Sequence, residues 1–215
     1  MNPTPNASQI SLIGGLLNAA EKARDTPSPT AATPYPLDPA RVAEFNAIIQ
    51  SVAPGAPPVD ANLIAEMARE LVGENGREGM ASIVRRLDQA RSLESMAADA
   101  AWRLPGPDAE RVDTVMSYLE RKDDLIPDEV PVLGMLDDAM LVELAQRALK
   151  REIEDYADFC RFREAEAKAR GVEPASVEVE RRDWLSWRRM LAERHGQPVG
   201  RSFNGDDAGP SFRVR

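Results

Sequence analysis

Residues 123–138 read Asp-Asp-Leu-Ile-Pro-Asp-Glu-Val-Pro-Val-Leu-Gly-Met-Leu-Asp-Asp. Pro127 and Pro131 each lack a backbone N–H, and each drives the residue before it, Ile126 or Val130, out of the α region. No regular helix runs through such a stretch. Yet Leu125, Ile126, Val130, Val132 and Leu133 are together too apolar to lie in water. The stretch is therefore expected to be a shaped loop, folded back onto the helices at either side.

Both flanks carry helical patterns. Upstream, Asp108 is placed to cap a helix with Val112, Val115, Met116 and Leu119 on one face, ending at Arg121 and Lys122, whose charge suits a helix C-terminus. Leu104-Pro105-Gly106-Pro107 breaks the chain before it. Downstream, the pattern predicts one long helix from Asp137 to Arg170, stopped by Gly171. At 1.5 Å per residue this is roughly 50 Å, longer than a compact domain needs, so its second half should project or bend.

Further out, Asp38-Pro39 is a helix-start signature for a helix to about Val52, with Val42, Phe45, Ile48, Ile49 and Val52 spaced by three and four. Pro54-Gly55-Ala56-Pro57-Pro58 ends it. Asp60 then caps a second helix carrying Leu63, Ile64, Met67 and Leu71, closed by Gly73. Met80, Ile83, Val84 and Leu87 mark a third face, which Leu93, Met96 and Ala100 continue or restart towards Trp102. After Pro174 comes a last helix with Trp184, Leu185, Trp187, Met190 and Leu191, ended by Gly196-Gln197-Pro198. Ser8–Arg24 has the pattern of a short helix, and Asp25–Leu37, with Pro27, Pro29, Pro34 and Pro36, reads as a linker.

The fold class implied is all-α: an irregular helical bundle with a proline-shaped loop between two core helices, a flexible N-terminal segment and a C-terminal tail. The segments are 1–37 (short helix and linker), 38–104 (helical region), 105–171 (the module around the loop), 172–198 (C-terminal helix) and 199–215 (a Gly, Asp, Ser and Arg-rich tail expected to be disordered).

Composition agrees. With 215 residues the chain is long enough for a buried core, and 43% hydrophobic with 29% charged residues is the balance of a globular protein. Aromatics reach only 5%, and Ala, Leu, Arg and Glu dominate, which favours helices over strands. The net charge of −9 argues against a general nucleic-acid binder. Cys160 is the single cysteine, so no internal disulfide framework forms and a cytoplasmic setting is the expectation. The N-terminus lacks the basic lead of a signal peptide, and no window is apolar enough for a membrane span.

The runs Asp124-Leu125-Ile126-Pro127-Asp128, Val130-Pro131-Val132-Leu133-Gly134 and Leu136-Asp137-Asp138 resemble the signature of the YkvA-like family, a bacterial domain of unknown function. The resemblance covers about residues 110–160. It implies a small helical domain in which one helix enters the loop and another leaves it, and membrane association is suspected for many relatives. Here Glu129 stands where the family usually has a bulky apolar residue, and Lys150, Arg151, Glu152, Glu154 and Asp155 charge the following helix. Those charges argue against a membrane-embedded module.

Two readings compete for the acidic residues. Asp124, Asp128, Asp137 and Asp138 have the chemistry to hold a hard cation such as Mg²⁺ or Ca²⁺, although the ligand order of an EF-hand is missing. Alternatively they cap helix ends and satisfy loop N–H groups, with Asp137 or Asp138 opening the long helix. A second candidate is Arg181-Arg182-Asp183-Trp184-Leu185-Ser186-Trp187-Arg188-Arg189. Trp184, Trp187, Arg188 and Arg189 there suit contact with a protein partner or an anionic membrane surface, against a terminal helix that merely packs its tryptophans inward. Catalysis has little support: His195 is expected at a helix end and Cys160 reads as a small core residue. The leading expectation is a non-enzymatic interaction or scaffold protein, with peripheral membrane contact as its close variant. The alternative is a divalent-metal-binding module or metal-dependent enzyme.

Overall fold

Asp38 accepts a hydrogen bond from the Ala40 amide at 2.8 Å, and Pro39 fills the first helical position, so helix α1 (Pro39–Val52) begins where its cap dictates. The computed structural model describes residues 36–72, 76–122, 124–127, 130 and 133–195. The expected N-terminal helix, nearly all of the linker, Gly73 and the 199–215 tail lie outside those residues. Asp60 opens α2 (Ala61–Val72), its carboxylate accepting from the Leu63 amide at 2.8 Å. The proline-rich turn between the two is held by α1. Asn46 bonds both the N–H and the C=O of Val59, and Gln50 does the same for Gly55 N–H and Ala56 C=O.

Next comes α3 (Gly76–Ala98), a single helix through Leu93 and Met96. After the 104–107 break, α4 (Gly106–Leu119) starts with Pro105 in the cap position, not Asp108 as the sequence had implied. Pro105 supplies the break, and Asp108 instead lies in the first turn, paired with Arg111 at 2.8 Å. The loop leads into α5 (Leu136–Ala148), followed by α6 (Lys150–Arg170), a 3₁₀ turn (Pro174–Ser176) and α7 (Arg181–His195). The described residues are thus seven α-helices and one short 3₁₀ turn, with no strand among them.

The predicted long helix is therefore two. Leu149, at φ −101° and ψ 10°, separates α5 from α6. Neither proline nor glycine marks this joint; Leu149 is buried there, and its own amide still reaches the Ala145 carbonyl at 2.8 Å. Beyond the joint α6 does not project: it packs on α3, α7 and the 3₁₀ turn. Gly171 ends α6 as expected, at φ +66°, with Val172 N–H bonded to the Ala167 carbonyl at 3.0 Å.

Helix α5 is the centre of the bundle. It packs on α1, α3, α4 and α6, and every residue from Leu136 to Val142 is buried. The first two turns of α5, covered on all sides, are apolar apart from Asp137 and Asp138, whereas Glu143, Gln146 and Arg147 give its second half a polar face. The loop folds back as predicted: Leu125, Ile126 and Leu133 are buried and Val130 is half-buried. One hydrophobic core draws on 38–104, 105–171 and 172–198 together, so these segments form a single packing unit.

The few aromatics are concentrated where the last helix docks. Fully buried Trp102 lies with its ring centroid 5.5 Å from Tyr156, 5.3 Å from Phe159 and 5.4 Å from Trp184. The Arg181 guanidinium stands 4.0 Å above the Trp102 ring and pairs with Glu152, while the Arg181 amide bonds the Ala101 carbonyl at 2.9 Å.

At Gly171 and Gly106 alike, an added Cβ meets nothing within 4 Å, but only Gly171 has positive φ. Gly171→Ala is expected to lower unfolding free energy by about 1 kcal/mol and Gly106→Ala to leave it unchanged or slightly raised, as read by urea denaturation. Equal effects at the two positions would refute a conformational origin.

Candidate functional site

The Asp137 carboxylate lies fully buried in the first turn of α5. One of its oxygens accepts from the Tyr118 hydroxyl at 2.6 Å and from the Ile126 amide at 3.2 Å. The Tyr118 hydroxyl in turn accepts from the Leu125 amide at 3.2 Å. A tyrosine at the end of α4, two loop amides and a carboxylate at the start of α5 thus close into one network. Phe45 of α1 packs against Tyr118 at 5.3 Å between centroids, and Arg41 donates to the Asp124 carbonyl at 2.6 Å, so α1 covers the loop.

Burial pushes the Asp137 carboxyl up to about 6, against the pull of its hydrogen bonds from Tyr118 and the backbone. Tyr118 is pushed far above its usual range, first by burial and then by the adjacent Asp137 charge. The phenol therefore stays protonated and remains the donor.

The structure separates the fates of the four candidate aspartates. Asp124, Asp137 and Asp138 are all buried near the loop. Asp128 lies outside the described residues. Among the described residues no group of three or more His, Cys, Asp or Glu side chains is arranged to hold a metal ion. Asp137 satisfies a loop N–H, as the capping reading had it, but neither it nor Asp138 is the N-cap: Met135 holds that position without a side-chain bond. The Asp137 carboxylate instead reaches across to the Tyr118 hydroxyl of α4 and the Ile126 amide of the loop.

On α7, Trp184 is fully buried and its indole N–H donates to Asp158 at 2.9 Å. That burial removes Trp184 from the contact surface proposed for it. Trp187 is half-buried against Phe162, with ring centroids 5.0 Å apart. Arg188 pairs with Asp155 at 2.7 Å and covers the Trp184 ring, leaving Arg189 exposed. His195 is the last residue of α7. Burial also raises the pKa of the half-buried Cys160 thiol, which keeps it protonated at neutral pH.

A different place gathers charge. Between α3 and α5 lies a solvent-open cleft of about 410 Å³, lined on one side by Ser82, Arg85, Arg86 and Gln89 and on the other by Glu143, Gln146, Arg147 and Lys150. Each set steps along its helix by three or four residues, one face of each. Glu143 anchors the floor. It accepts from Arg86 Nε at 2.5 Å through one oxygen and from Arg147 through the other, while Arg86 also reaches Ser82. Gln146 ties the far end to α3, donating to the Gln89 carbonyl at 2.8 Å and to Ser92 Oγ at 3.0 Å. Lys150 at the rim is highly exposed and lies 4.0 Å from Glu154; Arg85 is exposed.

Sequence reasoning missed this cleft. Arg85-Arg86 and the Glu143, Arg147, Lys150 stripe are visible as helix faces, but nothing in either segment says that the two faces meet.

A carboxyl whose folded pKa lies above its unfolded value near 3.8 contributes stability that is fully present below about pH 4 and is lost as pH rises through about 6. Asp137→Asn keeps an oxygen to accept from Tyr118 and Ile126 but carries no charge. Its unfolding free energy should exceed wild type at pH 7 by about 2 kcal/mol and match it more closely at pH 4.5. Tyr118→Phe should lose about 1–2 kcal/mol at both pH values. Parallel wild-type and Asn profiles in urea denaturation would rule out a raised Asp137 carboxyl.

In comparisons with known proteins, no family model, curated sequence or solved structure matches this chain.

Proposed function

We propose that this chain is a non-enzymatic helical interaction protein, and that its binding face is the cleft between α3 and α5, which receives an acidic group of a protein partner. The supporting observation is its charge. Arg85, Arg86, Arg147 and Lys150 face a single carboxylate, Glu143, in a chain whose net charge is −9. Elsewhere arginines tie helices together: Arg163 with Asp99, Arg181 with Glu152 and Arg188 with Asp155. The Arg181 and Arg188 pairs fasten the C-terminal helix, whereas the cleft gathers four cations around one carboxylate of its lining.

The resemblance of residues 124–138 to the YkvA-like signature accords with this reading, since that signature implies a helical module built round a shaped loop. No helix among the described residues is long and apolar enough to cross a membrane. A cytoplasmic setting fits an unpaired Cys160, and four cations in a strongly acidic chain are too few for general nucleic-acid binding.

The test is a titration of isotope-labelled protein with a hexaglutamate peptide, followed by NMR. Amide shifts should cluster on residues 82–89 and 143–150 and fade as salt rises from about 0.05 M to about 0.3 M. Shifts centred on Arg188 and Arg189, or no shifts, would overturn the assignment of the cleft.

A further inference from the structure

We infer that the acidic group taken by the cleft is a phosphomonoester on an extended segment of a protein partner; this rests on the cleft being the binding face. The lining holds four cations and one carboxylate, Glu143, and Glu154 lies 4.0 Å from Lys150. A carboxylate would neutralise one of these charges. A phosphomonoester carries about −1.5 to −2 at neutral pH and offers three acceptor oxygens, which suits donors arriving from two helices.

The donors are prearranged. Glu143 holds Arg86 and Arg147 side by side across the α3–α5 interface, so two guanidinium groups are fixed before any ligand arrives. Its carboxylate already occupies the place that an incoming carboxylate would take between those two arginines. A ligand must therefore add charge at the rim, where Arg85 and Lys150 stand exposed on opposite walls. Lys150, the first residue of α6, continues the Glu143, Gln146, Arg147 stripe at the same spacing of three and four.

The walls favour a chain segment over a small metabolite. Ser82, Gln89 and Gln146 line the cleft together with charged residues and no aromatic side chain, so a base finds no ring to stack on. The cleft is open to solvent along its length, and the Gln89 side-chain amide provides a donor and an acceptor of the kind a peptide backbone pairs with. Recognition of a phosphorylated segment by an arginine cluster needs no more than this.

The experiment uses the full chain and a fluorescent Gly/Ser-rich peptide carrying one phosphoserine, its unphosphorylated form, and the same peptide with Glu in place of phosphoserine, read by anisotropy. The phosphopeptide should bind about tenfold or more tightly than the Glu peptide, and Arg85→Glu or Lys150→Glu should each weaken it about tenfold. Both residues are exposed, so the melting temperature of each variant should stay at the wild-type value. Competition by inorganic phosphate but not by a phosphate-free anion of equal ionic strength supports the same conclusion. Equal binding of phospho and Glu peptides would overturn the phosphate preference while leaving the cleft as an acidic-group site. Phosphopeptide binding that is indifferent to Arg85→Glu and Lys150→Glu would overturn the site itself, as would failure of every peptide to bind.

Discussion

A carboxylate taken out of water must be compensated where it lies, and in this fold the compensation of Asp137 is the arrangement of the centre. The Tyr118 hydroxyl and the Ile126 amide can both reach one oxygen only if the end of α4, the loop and the start of α5 hold a fixed relation. That relation seats Leu125 and Ile126 in the core and lets α1 close over the loop through Phe45 and Arg41. Because α5 packs on four other helices, its orientation passes to most of the bundle. A buried charge costs stability relative to an apolar core, but it discriminates strongly among packings, since a shifted loop would leave the carboxylate without donors.

Much of the helical order was legible in the sequence because the signals there are local. Asp38-Pro39, Asp60 and Gly171 act on the backbone within a few residues of themselves, and they do what their chemistry predicts. Asp108 does not cap its helix, and neither Asp137 nor Asp138 is the N-cap of α5, although Asp137 satisfies a loop N–H as one reading of it expected. An aspartate near a helix start has several possible partners, and the choice was made by Pro105 in one case and by a tyrosine on another helix in the next. The break at Leu149 was invisible for a related reason. No breaker residue stands there, and the backbone departs from α geometry at a buried leucine. Inward packing of Trp184 was one of two readings the sequence allowed, but its companion Trp102 lies in a different segment.

The candidate site was less legible than the fold. The acidic loop attracted notice because it is unusual in sequence, yet its described aspartates are buried near the core. The cleft consists of ordinary surface residues, Arg, Lys, Glu and Gln at helical spacing, and becomes distinctive only when α3 and α5 bring two such stripes face to face. Glu143 engages and fixes two of the cations, while Arg85 and Lys150 stand exposed at the rim. Unlike the ion pairs that fasten α7, where each arginine meets its own carboxylate, the cleft shares one carboxylate between two arginines.

The aromatic corner at Trp102 has a consequence in time. Tyr156 and Phe159 reach it from α6, but Trp184 and Arg181 complete it from the last helix, long after Trp102 itself has been synthesised. As the chain emerges, the amino-terminal helices can begin to associate while this corner is still exposed to water. The growing protein therefore passes through a stage with a sticky aromatic face, which is sealed only when α7 arrives, and a chain stopped short of Trp184 would remain at that stage.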